Sequence, residues 1–330
     1  MKFFPITRLQ IKRQLRALAK QQRNEVNEEQ RLELIREQPK KFKMVTVPNY
    51  VTPEGAKDHT LVHDGTFYHI FHIVVGAGWG YGGEVVLGHS ISADLITWRR
   101  QPDLDFKDSS WSSHHLWAPH VIKHGDLWYM FYTGVRKVPG GDAYHEERIG
   151  LATSKNLFDW KLHNGDGFLL DGQADFTSWG SGERWANDCR DPFVFNHNGS
   201  WYMLLNVRLA DLSAYAIGVW QSADLISWTP LGSLDGSQGN RAESPNVLLD
   251  GSSIHVFWTR GRVVHSVGTD IMGTFSTPEP LPVGGYANEI LRVGNKNIYT
   301  NVAGNYTIRF RELTSLDPIT IDTLKVRVRA

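Results

Sequence analysis

The sequence predicts an all-β fold, a five-bladed β-propeller preceded by a short N-terminal α-helical extension. Two observations predict the propeller: two different elements repeat in register along residues 46–330, and each copy contains short β runs separated by turns. β runs inside a repeat of this kind are typical of propeller blades. A third observation, the helical character of residues 1–45, predicts the extension. The alternative to a propeller is an irregular β-sandwich whose parts resemble one another by chance.

The first repeated element is a glycine turn followed by an aromatic-rich or β-branched strand. Asp-Gly and Asn-Gly pairs between β runs are strong hairpin signals, because both turn residues tolerate a positive φ. The turn glycines of the successive copies are Gly65, Gly125, Gly199, Gly251 and Gly294. Five such turns predict five blades.

The second repeated element follows at a regular distance and has the form Ser-x-Asp/Asn-Leu-x-x-Trp. Three clear copies occupy residues 92–98, 154–160 and 222–228, and a weaker one occupies residues 266–275. Two elements that repeat together favour a closed array of blades over a sandwich.

The first 45 residues carry twelve Lys/Arg and five Glu, contain no glycine, and leave a charge of −7 on the rest of the chain. Two capping-box patterns predict helices near residues 7–24 and 27–37. Such short helices are marginal alone, so their apolar stripes must pack on something. Packing on a neighbouring subunit would make a homodimer, whereas packing on the same chain would make a monomer. Glu residues interleave with the basic ones, which indicates a solvated face and not a nucleic-acid site.

The composition excludes several classes of protein. The single cysteine, Cys189, rules out a disulfide within the chain and fits a reducing compartment. The start of the sequence has no apolar segment of signal-peptide length, and no stretch approaches the roughly 18 apolar residues of a membrane helix. We therefore expect a cytoplasmic protein without a nucleic-acid or membrane partner. Twelve tryptophans suit a β-rich core and equally a pocket that stacks on sugar rings.

Carboxylates recur seven or eight residues before the turn glycine, on the strand nearest the propeller axis. They are Asp58, Asp191 and Glu243. Acids that converge at one mouth of the channel repel one another, which raises at least one pKa. Glycoside hydrolysis needs this arrangement, since one protonated acid serves the leaving oxygen and one ionised carboxylate serves as base or nucleophile. We predict that these three residues are catalytic, with an oligosaccharide substrate and neither cofactor nor metal.

Other residues are candidates for binding the substrate. They are Trp79, Trp117, His120, Trp185, Arg190 and Asn288. Two of them have an alternative role: Trp117 would equally suit a blade core, and Arg190 could pair with Asp191 to keep it ionised. A zinc site at His114, His115 and His120 is the weaker reading of these histidines, because their spacing on a strand is not a recognised zinc pattern.

At these residues the sequence resembles the five-bladed propeller glycosidases of glycoside hydrolase families 43, 32 and 68. Arg190-Asp191-Pro192 is similar to the Arg-Asp-Pro motif of families 32 and 68, whose Asp stabilises the transition state. Residues 88–98 resemble the family 32 segment after blade one, and residues 117–119, Trp-Ala-Pro, resemble a family 43 motif. Glu243-Ser244-Pro245 matches the position of the general-acid Glu. The helical first region resembles that of family 117, which swaps between subunits.

The resemblance implies hydrolysis of a terminal glycosidic bond, most readily in a furanoside such as an arabinofuranoside or a fructofuranoside. Glu243 would be the general acid, and Asp58 the base of an inverting enzyme or the nucleophile of a retaining one. The Trp-Ala-Pro motif favours inversion. Lys57-Asp58-His59 replaces the Asn-Asp-Pro of family 32, and Ser244 replaces the Cys of Glu-Cys-Pro. The alternatives are a transglycosylase or anhydro-sugar-releasing enzyme of this fold, or a non-catalytic carbohydrate-binding propeller.

Overall fold

The computed structural model describes residues 42–76, 83–139 and 145–329. Trp79 and the two predicted helices lie outside the described residues, so the helices and the homodimer they would mediate stay predictions. The chain forms two compact units, one of which is Thr46–Leu324. In the other, strand β1 (Phe42–Thr46) pairs with the last strand, β23 (Lys325–Arg329), in a two-stranded sheet.

The larger unit consists of five antiparallel sheets, each formed by consecutive strands. Blade I contains β2 (Ala56–His63), β3 (Tyr68–Val74), β4 (Leu87–Ser92) and β5 (Arg99–Leu104). Blade II contains β6 (His115–His124), β7 (Leu127–Arg136), β8 (Glu146–Ser154), β9 (Trp160–Leu162) and β10 (Phe168–Asp171), with a 3₁₀ turn at His163–Gly165. Blade III contains β11 (Cys189–His197), β12 (Ser200–Arg208), β13 (Tyr215–Ser222) and β14 (Thr229–Ser233).

Blade IV contains β15 (Glu243–Asp250), β16 (Ser253–Thr259), β17 (Val263–Gly268) and β18 (Glu279–Pro280). Blade V contains β19 (Tyr286–Val293), β20 (Lys296–Val302), β21 (Ile308–Leu316) and β22 (Ile319–Thr323). The first strands of the blades, β2, β6, β11, β15 and β19, contact one another in that order, and β19 returns to β2. The all-β, five-bladed propeller predicted from the repeats is therefore confirmed.

The ring closes through contacts between blades V and I. Tyr50, just before blade I, exchanges two backbone hydrogen bonds of 2.8 and 3.0 Å with Ile308 of blade V. Thr60 Oγ1 donates to Glu289 Oε1 over 2.9 Å, so the inner strands of the two blades are joined by a buried side-chain hydrogen bond. Closure in this way packs each inner strand, which is the edge of its own sheet, against the inner strands of two neighbouring blades.

The second sequence repeat is a turn fixed by its own side chains. In blade I, Ser92 Oγ accepts the backbone N–H of Leu95 over 2.8 Å, and Asp94 Oδ1 accepts those of Ile96 and Thr97 over 2.9 Å. Trp98 Nε1 donates to the Leu95 carbonyl. The same bonds recur around Leu157 and Leu225, and all three leucines have a positive φ and are fully buried. The repeat is therefore a local structural device, and it carries no part of the chemistry.

The hydrophobic core lies between neighbouring blades. One cluster joins Phe71 of blade I to Met130 of blade II, and another joins Leu204 of blade III to Trp258 of blade IV. Burying an aliphatic or phenyl side chain of this kind stabilises the fold by about 1.5–3 kcal/mol. The apolar residues of each strand thus fix the blades to each other and leave the inner strand ends free to carry polar groups.

A β-bulge interrupts every inner strand at the same place. One residue there has a positive φ, which bends the strand and turns consecutive side chains in different directions. These bulge residues are Asp58, Ala118, Asp191, Ser244 and Ala287, with φ values of 33, 41, 58, 51 and 48°. The bulge therefore recurs at the equivalent position of all five inner strands. No helix in the described part of the chain is long and apolar enough to cross a membrane.

Candidate active site

Two sets of residues on the inner strands define the site. We call the residues just before the bulges the wall ring: Lys57, Trp117, Arg190, Glu243 and Tyr286. We call the bulge residues themselves the floor ring: Asp58, Ala118, Asp191, Ser244 and Ala287. All five wall residues, together with Asp58, Asp191 and Ser244 of the floor, line one cavity of about 470 Å³. The three predicted catalytic acids therefore meet in a single cavity.

The acids do not occupy equivalent positions, contrary to the spacing argument from the sequence. Asp58 and Asp191 belong to the floor ring, whereas Glu243 precedes its bulge by one residue and belongs to the wall ring. The difference follows from the bulge, because a shift of one residue there changes the direction of the side chain. Glu243 is consequently the more accessible acid, with 29% of its side chain exposed, while Asp191 is buried.

Ser244 connects the two floor aspartates. Its backbone N–H donates to Asp191 Oδ2 over 2.9 Å, and its hydroxyl donates to Asp58 Oδ1 over 3.3 Å. The backbone N–H of Asp191 in turn donates to Thr133 Oγ1 of blade II over 3.1 Å. Both carboxyl groups are therefore held by hydrogen bonds from Ser244 of blade IV, whereas Thr133 of blade II holds the backbone of Asp191.

Arg190 extends the site on the side of blade II. Its guanidinium lies 3.2 Å from Glu147 Oε2, 3.4 Å from Asp188 Oδ2 and 3.1 Å from Glu243 Oε1. Burial would lower the pKa of Arg190, but the surrounding carboxylates raise it well above its ordinary value. The sequence predicts that Arg190 either binds the substrate or pairs with Asp191. The structure shows ion pairs of Arg190 with Glu147, Asp188 and Glu243, and not with Asp191.

Burial raises the pKa values of both floor aspartates. For Asp58, the negative charge of Glu243 adds to the effect of burial, and the Lys57 ammonium opposes it. Burial also raises the pKa of Asp191 to about 8. The Arg190 guanidinium lowers this pKa, whereas the negative charges of Asp58 and Glu243 raise it. Mutual repulsion of close acids is a known means of retaining a proton near neutral pH. The cluster can therefore hold a protonated and an ionised carboxyl group at the same time.

Lys57 lines the blade I side of the cavity and forms an ion pair with Glu84. Lys57 Nζ lies 2.7 Å from Glu84 Oε1, and both side chains are about four-fifths buried. Burial by itself would lower the pKa of Lys57, but Asp58 and Glu84 raise it. The Lys57 ammonium therefore stays charged beside Asp58. In the family 32 motif described above, a neutral Asn occupies the position of Lys57.

Aromatic rings form one side of the cavity. Trp117 of the wall ring lies 6.4 Å from the ring of His145, which lies 5.8 Å from that of Trp185. Trp185 is 39% exposed at the rim and has a positive φ of 58°. Tyr215 also lines the cavity, and the Arg190 guanidinium lies 5.8 Å from its ring. Of the three tryptophans predicted to bind substrate, Trp117 and Trp185 thus line the cavity, and Trp79 lies outside the described residues.

His120 and Asn288 lie elsewhere, in a second and much smaller cavity on the propeller axis. This axial cavity has a volume of about 30 Å³ and lies against the far side of Asp58, Asp191 and Ser244. His120 Nε2 donates to the Val194 carbonyl over 3.0 Å, so its ring is held within the channel. Their position beneath the floor separates them from the groups that line the main cavity.

One group of potential metal ligands occurs among the described residues, namely His145, Glu147 and Asp188. The Arg190 guanidinium already contacts both carboxylates of this group. His145 Nε2 lies 2.9 Å from Glu147 Oε1, so each acid has a cationic or hydrogen-bonding partner from the protein. We interpret the group as an ion-pair network that holds Arg190. The histidines of the zinc hypothesis, His114, His115 and His120, form no such group.

Sequence reasoning missed several residues of the cavity. Tyr286 and Ser244 could have been found by aligning the inner strands on their bulges, since Tyr286 is equivalent to Glu243 and Ser244 to Asp191. Glu147 and Asp188 carry no comparable signal. Glu147 lies on the third strand of blade II, and Asp188 precedes blade III. Only the packing of the blades brings these two acids to Arg190.

Comparison with known proteins is consistent with this geometry. The sequence model of the family described as "Glycosyl hydrolases family 32 N-terminal domain" matches residues 58–268, which is more than half of the chain. The sucrose-6-phosphate hydrolase of Bacillus subtilis is 26% identical over 174 residues, covering 52% of this chain and 33% of that protein. The chain spans about a third or less of the length of such curated relatives.

Solved structures show the same fold. The GH32 β-fructofuranosidase of Bombyx mori has a TM-score of 0.65 and 19% identity, and covers 93% of this chain and 70% of that one. An exo-1,5-α-L-arabinanase from a bovine ruminal metagenomic library has a TM-score of 0.58 and 15% identity, with 82% and 97% covered. The resemblance to the family 43, 32 and 68 group is thereby confirmed. From the match over residues 58–268, the chain belongs to the glycosyl hydrolase family 32 N-terminal domain family.

Proposed function

We propose that the protein is a glycosidase that hydrolyses a terminal furanosidic bond, with Asp58, Asp191 and Glu243 as its catalytic acids. The observation that carries this proposal is their convergence in one cavity, where Ser244 joins the aspartates and Arg190 reaches Glu243. Membership of family 32 supports the reaction class.

The environments of the acids support different roles. Glu243 is the partly exposed acid, so it can exchange a proton with water between steps and suits the general acid. Asp58 lies beside the charged Lys57, which favours the ionised form that a nucleophile or base requires. Asp191 is buried at the floor of the cavity, and its pKa of about 8 keeps a proton on it at neutral pH, so its carboxyl group can donate a hydrogen bond to a sugar hydroxyl.

The substrate we propose is a fructofuranoside, with an arabinofuranoside as the second candidate. The named relatives act on sucrose 6-phosphate or on β-fructofuranosides, and a structurally similar protein is an arabinanase. The aromatic side formed by Trp117 and Trp185 offers apolar surface for a sugar ring. Trp79, outside the described residues, stays a candidate for the substrate pocket.

The test is turnover on sucrose, sucrose 6-phosphate, fructans and aryl arabinofuranosides, followed by NMR from the first minutes. Glu243→Gln and Asp58→Asn should each lower kcat by about 10²–10⁴-fold, as expected for a positioned acid or base. Glu279→Gln, on the exposed edge strand of blade IV, is the matched control and should retain wild-type kcat.

The anomer released first distinguishes the two roles of Asp58. A retained anomer makes Asp58 a nucleophile, and an inverted one makes it a base, as the Trp-Ala-Pro motif predicts. Binding of sugars without turnover would contradict the proposal and favour a carbohydrate-binding propeller. Transfer to an added sugar in preference to water would favour the transglycosylase.

A further inference from the structure

We infer that Ser244 is a positioning residue that holds the Asp58 carboxylate in its reactive orientation. The inference rests on the proposed function in one respect, namely that Asp58 acts as the nucleophile or base. Ser244 replaces the Cys of the family 32 motif, so its hydroxyl is a feature of this chain.

The geometry places Ser244 between both aspartates. Asp58 lies in blade I, Asp191 in blade III and Ser244 in blade IV, so the Ser244 hydroxyl reaches across the ring to Asp58 over 3.3 Å. Its backbone N–H is committed to Asp191 over 2.9 Å. The other two floor residues, Ala118 and Ala287, have no side-chain donor. Within the floor ring, the hydroxyl that can act on Asp58 is therefore that of Ser244.

The hydrogen bond has two chemical consequences for Asp58. The hydroxyl engages Oδ1, which fixes the rotation of the carboxyl group and leaves Oδ2 to face the reacting carbon or its water. A donor to the charged form also favours ionisation, so Ser244 lowers the pKa of Asp58 against the effect of burial.

The charged and titratable groups that face Asp58 come from four blades. Lys57 and Glu84 belong to blade I, and the other members are Asp191, Glu243 and Tyr286. Lys57 is the cation of this set and is already paired with Glu84 at 2.7 Å. The three acids all oppose ionisation of Asp58. The neutral hydroxyl of Ser244 is therefore the remaining group near Asp58 that favours its ionisation. Removing this hydroxyl should raise the pKa of Asp58 by a measurable amount.

Cysteine and serine differ in this role. A thiol is a weak hydrogen-bond donor, whereas a hydroxyl is a good one and rotates to suit its acceptor. With Lys57 held by Glu84, this chain relies on the stronger donor. Ser244→Cys should therefore restore only part of what Ser244→Ala removes.

The first test is the pH profile of kcat/KM for wild type, Ser244→Ala, Ser244→Gly and Ser244→Cys. Loss of the Ser244 hydroxyl should move the acid limb of this profile to higher pH by about one unit. At a pH below the limb, kcat/KM should therefore fall about tenfold. Alanine and glycine should behave alike although glycine relieves the positive φ, because both lack the hydroxyl. Ala287→Gly, which relieves φ at the equivalent position of blade V, should leave the acid limb unchanged.

The second test does not depend on activity. A carboxyl-¹³C NMR titration, with Asp58→Asn to assign the resonance, should show a higher Asp58 pKa in Ser244→Ala than in wild type. If that shift occurs in a protein that hydrolyses no furanoside, the role of Ser244 stands and the proposed function fails. If wild type is active and the Asp58 titration and acid limb are identical in Ser244→Ala, the inference about Ser244 is overturned.

Discussion

The wall ring and the axial channel lie on the same five strands, two or three residues apart, yet they differ in chemistry. The wall ring contains Lys57, Arg190 and Glu243, whose side chains enter a cavity of about 470 Å³. Beyond the floor ring the same strands contribute His120, Asn288 and other buried groups to an axial cavity of about 30 Å³. Position relative to the bulge therefore decides whether a polar residue faces a substrate-sized cavity or a narrow interior space.

The floor ring separates these two environments and is the most constrained part of the site. Its residues adopt a positive φ, and its two aspartates have raised pKa values because they are buried close together. Such strain and repulsion are costly for stability and are commonly found where chemistry requires them. The comparison predicts that variants in the wall ring, floor ring and channel will have different effects.

The largest effect is expected in the wall ring, from Arg190→Ala. This change leaves Glu147 and Asp188, both almost fully buried, without their shared cation. Removing one partner of a buried ion pair destabilises a protein by about 3–5 kcal/mol. Urea unfolding should show this loss, and kcat should fall because Glu243 loses its contact with Arg190.

Arg241→Ala is the matched control for Arg190. Arg241 also approaches Glu243, at 3.9 Å, but its side chain is 66% exposed. An exposed ion pair contributes about 0–1 kcal/mol, so this variant should unfold almost as the wild type does. Equal losses for the two arginine variants would contradict the distinction between buried and rim charges.

An intermediate effect on stability is expected in the floor ring, from Asp191→Asn. This variant should stabilise the protein, whereas Arg190→Ala should destabilise it. Native Asp191 keeps its proton up to about pH 8, whereas an unfolded Asp loses its proton near pH 4. Between these values the native state binds more protons, so stability falls as the pH rises. An amide does not titrate, so the variant should melt a few degrees above wild type near pH 8, with little difference at pH 4. Its activity should be lost.

Asp224→Asn is the control for that stability measurement. Asp224 closes the repeated turn of blade III, where blade II has Asn156 in the same role. The asparagine should make the same hydrogen bonds and leave the melting temperature near that of wild type. A lower melting temperature for Asp191→Asn at pH 8 would show that Asp191 is ionised in the native protein.

The smallest effect on catalysis is expected in the channel, from Asn288→Ala. Asn288 lies beneath the floor, and its amide makes no hydrogen bond to other described residues. The variant should keep the KM of wild type, whereas Trp185→Ala at the rim should raise KM several-fold. A large rise in KM for Asn288→Ala would restore the sequence-based prediction that Asn288 binds the substrate.

Much of this protein could be predicted from local sequence signals. The five turn glycines and the three clear Ser-x-Asp/Asn-Leu-x-x-Trp turns act within a few residues of the chain, so their repetition is visible in the sequence itself. Asp58, Asp191 and Glu243 could be found because they lie near each turn in the same order. Glu147 and Asp188 could not, since their partner Arg190 is brought to them by the packing of blades II and III.

By itself, the sequence determined the all-β class, the five blades, and three of the acids that line the main cavity, Asp58, Asp191 and Glu243. Only the tertiary structure decided the direction of each side chain. A single bulge residue per inner strand separates Glu243 from Asp58 and Asp191, and it places His120 and Asn288 in the channel. The physical reason is that a bulge inserts one unpaired residue, which reverses the alternation of side chains. Asp, Ala and Ser all adopt the positive φ that marks this residue, despite its cost.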